Sequence, residues 1–317
     1  MIFWSKRKGR ENAMGTLEIV GVDHGWSHMK TASKVFHTGI EINPSPTFYK
    51  DVLVLDGRCY SVGGQRLEVK DTKVENNDFY YLTLAAIAKE LESRGGMTEA
   101  DIYLAAGLPL TRFGEEKQDF IAYLAKNETI AFAYSEKEYR IGIRKVSVYP
   151  QCYAAIADLI PTFPRKVVIV DIGSWTVDIM PVVNKRPDDA RCCSLPHGLI
   201  TCMRDINRSS VKKFNFEIDE MDLEHYIRYH QISGMPEEVV KLMDQKLEEY
   251  AQMIFRALRE QQINLQITPI VFVGGGAVLM KQYCDGMYAN VEYKLDVKAN
   301  ARGYETMAKM ALKNAGR

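Results

Sequence analysis

The sequence predicts an α/β protein in which two duplicated lobes surround a central cleft. Strand-length apolar segments alternate with helical patterns along the chain, which is typical of the α/β class. The chain has 317 residues, about twice the usual domain length of ~150 residues. The tetrapeptide Val-Asp-His-Gly at 22–25 recurs as Val-Asp-Ile-Gly at 170–173. Each copy follows an apolar strand, so the repeat indicates a duplication at the scale of a domain.

The first lobe is predicted to cover residues 15–160. It opens with a hairpin, in which a strand over 17–23 turns at Gly25 and a second strand runs over 28–35. A small β-rich insertion follows at about 36–75, where Asp56-Gly57 is a strong signal for a tight turn because both residues tolerate positive φ. The remaining predicted elements are a helix over 79–94 ended by Gly95-Gly96, a strand over 102–107, a helix over 111–126, strands over 130–132 and 139–148, and a short helix over 151–159.

The second lobe is predicted to cover residues 161–302 and begins as the first does. Its smaller subdomain is expected at about 196–235, and its longest helix at 236–262, where apolar residues follow a period of 3.6. The other predicted elements are strands over 167–170, 176–183 and 270–273, a helix from 197 to about 207, and a closing helix at about 303–317 that completes the first lobe. Residues 1–14 are expected to be a disordered extension or a tag.

Composition narrows the class of protein. The 41 Lys and Arg balance the 41 Asp and Glu, so no net positive field attracts nucleic acid or an anionic membrane, and self-association is not opposed by charge. No segment has the roughly 18 consecutive apolar residues that a membrane span requires. The six cysteines form no Cys-x-x-Cys pair, and the group at 192, 193 and 202 matches no standard zinc spacing. We therefore expect a cytoplasmic protein with reduced thiols, no membrane attachment and no direct contact with nucleic acid.

The two copies of the repeat predict a nucleotide clamp. Each copy gives a hairpin tip with an Asp, a Gly and hydroxyl residues, Ser27 in the first tip and Ser174 and Thr176 in the second. Backbone N–H groups of such a tip bind phosphate oxygens, and a carboxylate beside it can hold the water shell of Mg²⁺. The run Gly274-Gly275-Gly276 after a buried strand is a third place where backbone passes close to a nucleoside or phosphate.

Several motifs form an ordered set along the chain. They are Asp23-x-Gly25 with Lys30, Pro150-Gln151, Asp171-Ile172-Gly173-Ser174-x-Thr176-x-Asp178, Val273-Gly274-Gly275-Gly276-Ala277 and the ending Asn300-Ala301-Arg302-Gly303-Tyr304. This set resembles the actin superfamily and, in its length and ending, the bacterial ParM/StbA plasmid-segregation proteins. The resemblance implies an actin-like fold, ATP or GTP with Mg²⁺ as ligands, and nucleoside triphosphate hydrolysis as the activity.

The same resemblance implies a role for each motif residue. Asp23 and Asp171 would flank the Mg²⁺, with Asp171 and Gln151 as the catalytic residues and Gln151 orienting the attacking water. The residues that would bind the nucleotide are Asp23, Gly25, Trp26, Ser27, Lys30, Gly173, Ser174, Trp175, Thr176, Gly274, Gly275 and Gly276. The bulk of Trp26 and Trp175 in the tips leaves the choice between ATP and GTP open, and both side chains could instead pack into the lobes.

The resemblance also implies partners. Head-to-tail filaments of this chain would move plasmid DNA, with a small DNA-binding adaptor joining the filament to a centromere-like site. Two alternatives stay open: a small-molecule kinase of the same superfold and an actin homologue for cell shape or division. A kinase needs a carboxylate base for its substrate hydroxyl, and Gln151 stands where a water-orienting residue is expected.

Overall fold

In the computed structural model, the described residues are 17–43, 50–163 and 165–315. The predicted extension at 1–14 lies outside them, as do residues 44–49 of the predicted insertion. Over the described residues the chain forms two β-sheets with seven α-helices. No helix in this part of the chain is both long and apolar enough to cross a membrane.

Among the described residues, the first sheet has nine strands. They are β1 (Leu17–His24), β2 (His28–Lys30), β3 (Val35–His37), β4 (Ile40–Asn43), β5 (Val52–Leu55), β6 (Arg58–Val62), β7 (Glu99–Leu108), β8 (Thr129–Tyr134) and β9 (Lys137–Pro150). Their order is β3-β2-β1-β7-β9-β8-β5-β6-β4. The predicted turn at Asp56-Gly57 joins β5 to β6, with φ of 50° and 73° at the two residues, as a tight hairpin requires.

In the part of the chain that the structure describes, the second sheet has six strands. They are β10 (Lys166–Ile172), β11 (Val177–Val183), β12 (Arg186–Pro187), β13 (Cys193–Leu195), β14 (Ile270–Val273) and β15 (Val291–Tyr293). Their order is β12-β11-β10-β14-β15, and β13 also pairs with β11.

The two sheets have the same central arrangement of three strands. In the first, β1 pairs antiparallel with β2 and parallel with β7. In the second, β10 pairs antiparallel with β11 and parallel with β14. The two aspartates occupy equivalent positions in their hairpins. Asp23 lies opposite Lys30 on β2, and Asp171 lies opposite Asp178 on β11. The α/β class and the duplication predicted from the repeat are therefore confirmed, while the exact lobe boundaries stay a prediction.

Within the described segments, seven helices cover the sheets. They are α1 (Asp78–Ser93), α2 (Leu110–Leu124), α3 (Leu199–Phe214), α4 (Glu220–Tyr229), α5 (Glu237–Glu260), α6 (Ala277–Cys284) and α7 (Ala299–Ala315). Two large apolar clusters follow the two sheets: one is built from residues between 20 and 148 and the other from residues between 168 and 284. Helix α5 has the apolar face that its 3.6 period predicts, and that face is buried in the second cluster.

Helix α7 carries the end of the chain back to both sheets. Near its start, Asn300 donates its amide to Asp171 Oδ2 of the second sheet over 3.0 Å. One turn later, Glu305 accepts from the backbone N–H of Gly21 in the first sheet over 3.1 Å. The helix also crosses so close to the backbone of Ala154 that a Cβ at Gly303 would overlap it. Both sheets are thereby fixed to one rigid element.

The prediction of a helix over 151–159 is wrong. Strand β9 continues to Pro150, and the chain then turns, with Cys152 at a φ of 61°. An α-helix cannot include that left-handed residue, so only a short 3₁₀ turn forms at Ala154–Ile156.

Other element boundaries also differ from the predictions. Strand β2 is shorter than predicted because the backbone N–H of Thr31 bonds to Lys34 O and starts a turn, after which β3 begins. Helix α3 runs on to Phe214, and α7 begins at Ala299. Strand β4, which lies beside β6, was missed.

Candidate functional site

A cavity of about 770 Å³ lies between the two repeated hairpin tips. Nearly all of the site residues predicted from the motifs line it. They are Asp23, Gly25, Trp26, Ser27, Lys30, Gln151, Asp171, Gly173, Ser174, Trp175, Thr176, Gly274 and Gly275. Gly276 is not among the lining residues; it packs against the side chain of Ile172, which a Cβ would overlap. The fold therefore brings together motifs that stand far apart in the sequence.

The two tips are shaped by close backbone contacts. In the first tip, a Cβ at Gly25 would lie 2.5 Å from the carbonyl oxygen of His28. In the second, the Gly173 and Ser174 carbonyls accept hydrogen bonds from the backbone N–H groups of Leu199 and Ile200, at 3.1 and 2.9 Å. The backbone N–H of Gly173 donates to Thr176 O over 2.9 Å and closes the tip, so an anion would be bound by the N–H groups that follow it.

Asp23 is held by two side chains. It is 4% exposed, and its Oδ2 accepts from Lys30 Nζ over 3.0 Å. Its Oδ1 accepts from Gln151 Nε2 over 3.3 Å. Gln151 itself is anchored by its backbone N–H, which donates to Leu108 O at the end of β7 over 2.9 Å. The three predicted residues therefore form one connected group that lines the cavity.

Asp171 has a different environment. Burial, together with the nearby Asp178 carboxylate, raises the pKa of Asp171 to about 6. Burial also raises the pKa of Asp178. Asp178 Oδ2 accepts from Thr176 Oγ1 over 3.1 Å, but its buried Oδ1 has no hydrogen-bond partner among the described residues. Two close carboxylates with an unpaired oxygen form a site that a hydrated divalent cation fits, because the cation's charge would offset their repulsion.

Sequence models of two protein families match the chain one after the other. Residues 21–153 match the N-terminal domain of actin-like proteins, and residues 169–285 match the C-terminal domain of the archaeal, MreB-like actin homologue. The chain belongs to the actin-like proteins. The resemblance predicted from the ordered motifs is thereby confirmed, and so is the actin-like fold.

Solved structures of other actin homologues share the fold of this actin-like protein. The archaeal actin homologue Ta0583 in complex with ADP is 20% identical, with a TM-score of 0.71 over 92% of this chain and 99% of that chain. The apo psk41 ParM protein is 15% identical, with a TM-score of 0.70 over 95% and 99%. ParM from a 15-stranded filament of Clostridium botulinum is 17% identical, with a TM-score of 0.69 over 92% and 99%. No curated protein sequence matches this chain.

Three residues of the actin-like cleft were not selected as site residues from the sequence. Lys73 lines the cavity and is 8% exposed, and burial lowers its pKa to about 8. Asn300 holds Asp171, as described above, and also accepts from the backbone N–H of Cys152 over 3.2 Å. Asp178 belongs to the motif at 171–178, which predicts no role for it. No local pattern marks Lys73, which lies in a loop, and the ending motif at 300–304 contains Asn300 without giving it a role in the site.

The two tip tryptophans contact the lobes as well as the cavity. Trp26 packs edge to face on Phe79, with ring centroids 5.1 Å apart. The Trp175 ring lies near two guanidinium groups, those of Arg204 at 5.1 Å and Arg66 at 5.8 Å from its centroid. Both rings also line the cavity. Their contact with a nucleotide stays a prediction.

Arg66 joins the two halves of the cleft. Its guanidinium donates to both carboxylate oxygens of Glu220 on α4, at 2.5 and 3.1 Å. The same group donates to Ser27 Oγ in the first tip over 3.3 Å. A two-pronged Arg–carboxylate pair fixes orientation as well as distance. Arg66 therefore connects the first tip directly to the second lobe.

Gly274→Ala should destabilise the nucleotide-free protein strongly. Gly274 has a φ of 81°, and a Cβ there would overlap Oδ1 of Asp171. Backbone strain and steric overlap together should lower the free energy of unfolding by about 2–4 kcal/mol, measured by urea denaturation.

The matched control is Gly275→Ala. Its Cβ would meet only the side chain of Leu199, at 3.8 Å, so the free energy of unfolding should change by less than about 0.5 kcal/mol. Equal effects of the two substitutions would contradict the importance of the close approach at Gly274.

Proposed function

We propose that this actin-like protein is a cytoplasmic ATPase, with GTP as the alternative nucleotide, that assembles head to tail into filaments and segregates plasmid DNA. The observation that carries the proposal is the pair of Asp-Gly tips that line one cavity from two sheets. Binding between two lobes makes the closed cleft depend on the nucleotide. The ADP complex of the archaeal homologue supports the assignment of the ligand.

The chemistry proposed for the cleft follows from its charges. Asp171, Asp178 and Asp23 would hold the water shell of Mg²⁺, and the N–H groups of the tips would bind the phosphates. Lys30 and Lys73 would supply positive charge beside the phosphate oxygens, and Gly274 and Gly275 would line the nucleoside. Gln151 carries a neutral amide, so it would orient the attacking water rather than remove its proton.

Self-assembly is supported by the surface and by the relatives. Strand β4 is an edge of the first sheet, and its Ile42 is 71% exposed. Ile267, before β14, is 75% exposed. Unpaired strand edges and exposed apolar residues favour contact with another copy. Two proteins of the same fold, an Alp12 and a ParM from Clostridium botulinum, were solved as filaments.

The DNA link is proposed to be indirect. The formal net charge is zero, which gives no general attraction for a DNA backbone. A small DNA-binding adaptor would therefore connect the filament to a plasmid site.

Sedimentation and negative-stain microscopy test the assembly. With Mg-ATP or Mg-GTP, at a protein concentration on the order of tens of micromolar, we expect pelletable filaments that are lost when EDTA removes the Mg²⁺. Phosphate release should rise more steeply than protein concentration, because assembly accelerates it. A chain that stays monomeric with both nucleotides contradicts the filament proposal.

A small-molecule kinase is the second candidate, and one observation favours it. The unpaired Oδ1 of Asp178 in the cavity is a carboxylate oxygen of the kind that could accept a proton from a substrate hydroxyl. The same assay separates the two functions. A kinase would release little phosphate without an acceptor and would show no dependence on assembly.

A further inference from the structure

A second cluster of candidate ligands lies at the edge of the cleft, away from the two aspartates. It consists of His28 on β2, His37 on β3 and Glu224 on α4, whose nitrogen and oxygen ligand atoms all lie within 4.8 Å of one another. His28 and His37 are cross-strand partners with ring centroids 4.5 Å apart. The Oε2 atom of Glu224 is 3.9 Å from His28 Nε2. The cluster therefore takes two ligands from the first sheet and one from the second lobe.

A direct hydrogen bond does not account for this arrangement, because the 3.9 Å between Glu224 Oε2 and His28 Nε2 is too long for one. Two imidazoles and one carboxylate instead converge on a common space. Imidazole nitrogens and a carboxylate oxygen are a common ligand set for Zn²⁺ and related transition metals.

We propose that His28, His37 and Glu224 bind one divalent transition metal ion, Zn²⁺ by preference, and that this ion joins the two lobes across the mouth of the cleft. Zn²⁺ takes nitrogen ligands at about 2.0–2.1 Å and carboxylate oxygens at about 2.0–2.2 Å. The three ligand atoms lie within 4.8 Å of one another, and side-chain rotations would bring them to these distances. The fourth position would face the cavity and hold water.

The surrounding charges permit a cation here. Three basic residues lie close enough to His28 for their positive charges to affect it. They are Lys30, Arg66 and Arg228. Lys30 is paired with Asp23 and Arg66 with Glu220, so their charges are largely offset. Glu224 supplies one negative charge to the ion itself. Arg228 is exposed, where solvent and salt screen its charge.

The neighbouring Arg66–Glu220 pair prepares the site. Glu220 and Glu224 stand four residues apart on α4, one above the other on the same helix face. The pair at Glu220 holds this face against the first lobe, and Glu224 is therefore directed at the two histidines before any metal binds. Preorganisation of this kind reduces the entropy cost of closing a metal site.

This inference goes beyond the proposed nucleotide chemistry. The cluster shares no residue with the Asp23, Asp171 and Asp178 site. A metal ion at the cleft mouth would favour the closed cleft, because its ligands come from both lobes, and would thereby regulate exchange of whatever the cleft holds.

The test is titration of the nucleotide-free full chain with Co²⁺, a spectroscopic substitute for Zn²⁺, followed by competition with Zn²⁺. We expect one Co²⁺ per chain, with the visible absorption of a four-coordinate ion and without the near-ultraviolet charge-transfer band that thiolate ligands give. His37→Gln and Glu224→Gln should each weaken binding at least about tenfold. Zn²⁺ should also raise the melting temperature of the unsubstituted chain but not that of either variant.

His225→Gln is the matched control, because His225 is an exposed histidine on the same helix outside the cluster. It should leave Co²⁺ binding unchanged. The melting temperature of each variant without metal verifies folding, and the second ligand variant carries the test if the first does not fold. The proposal is overturned if the unsubstituted chain binds no Co²⁺, if both ligand variants bind as tightly as the unsubstituted chain, or if a thiolate band shows that cysteines are the ligands. Because no nucleotide is present, failure here is distinct from failure of the proposed ATPase.

Discussion

Asp171→Asn should make the nucleotide-free protein more stable at neutral pH while weakening its binding of Mg-nucleotide. The pKa of Asp171 rises from an ordinary 3.8 to about 6 in the folded protein, first through burial and second through Asp178. The folded state therefore resists ionisation of this carboxyl. Above pH 6 the ionised carboxylate destabilises the fold, and the penalty is relieved as the pH falls towards 3.8.

The size of the effect follows from the shift. A difference of roughly two pKa units corresponds to about 3 kcal/mol, which is an upper value because other groups relax. An asparagine keeps a carbonyl oxygen for the Asn300 amide and cannot ionise. The free energy of unfolding at pH 7.5 should therefore increase, by up to about 3 kcal/mol, and about half of that gain should remain at pH 5.

The effect on binding has the opposite sign. Without the Asp171 charge, the cation loses one of the carboxylates expected to order its water shell. Affinity for Mg-nucleotide should fall by roughly 10- to 100-fold, the usual cost of losing a group that supports a metal's ligands. Urea denaturation at the two pH values and calorimetric titration with Mg-ATP and Mg-GTP measure the two effects.

Asp119→Asn is the control, because Asp119 is an exposed aspartate on α2. It should change the free energy of unfolding by less than about 0.5 kcal/mol and leave nucleotide affinity unchanged. If Asp171→Asn lowers stability at pH 7.5, or binds nucleotide normally, the assignment of Asp171 as a carboxylate held ready for a cation is wrong. Stability given up at a functional carboxylate is a common feature of active sites.

The hairpin tips of the cleft could be predicted because a short local sequence pattern specifies each of them and the pattern occurs twice in the chain. Each has an apolar strand, an aspartate and a glycine within a few residues, and duplication makes the signal stand out from chance. The fold then brings Asp23 and Asp171 to one cavity because β1 and β10 occupy equivalent places in two similar sheets. A repeat in the sequence was thus enough to predict a relation in space.

Residues that reach the site from elsewhere could not be predicted in the same way. Asn300 belongs to the ending motif, but the motif does not indicate what its side chain contacts. Its bond to Asp171 depends on the placement of α7, which begins at Ala299 and packs Ala301 against Gly21. Lys73 comes from an irregular segment before α1, where no periodicity indicates direction. The left-handed conformation of Cys152 likewise depends on the strand that precedes it. These features arise from tertiary packing, and a local pattern cannot report them.

Gln151→Ala should separate nucleotide binding from hydrolysis. The Gln151 amide lies at the end of β9 and donates to Asp23 Oδ1 over 3.3 Å, so it is placed beside the carboxylates without carrying charge of its own. Alanine removes the group that would orient the attacking water, together with its bond to Asp23, while Lys30 still holds Asp23 and the backbone of both hairpin tips is unchanged. Loss of precise positioning costs on the order of 10²-fold in rate, and phosphate release should slow by about that factor.

Filament lifetime should change in the opposite direction. If hydrolysis and phosphate release weaken the closed cleft, slower hydrolysis keeps subunits in the form that assembles. The Gln151→Ala protein should therefore bind nucleotide and pellet as the unsubstituted chain does, but its filaments should persist longer after free nucleotide is removed. Light scattering and phosphate release recorded on the same sample measure both quantities.

Gln245→Ala provides the comparison, since Gln245 lies exposed on α5 and bonds only to its helix neighbour Glu249 among the contacts described. It should alter neither rate. Unchanged phosphate release in Gln151→Ala would remove this residue from the hydrolytic step. Slower release without longer-lived filaments would instead show that hydrolysis does not set filament lifetime, and the timing role of the cleft would have to be abandoned while its nucleotide site is kept.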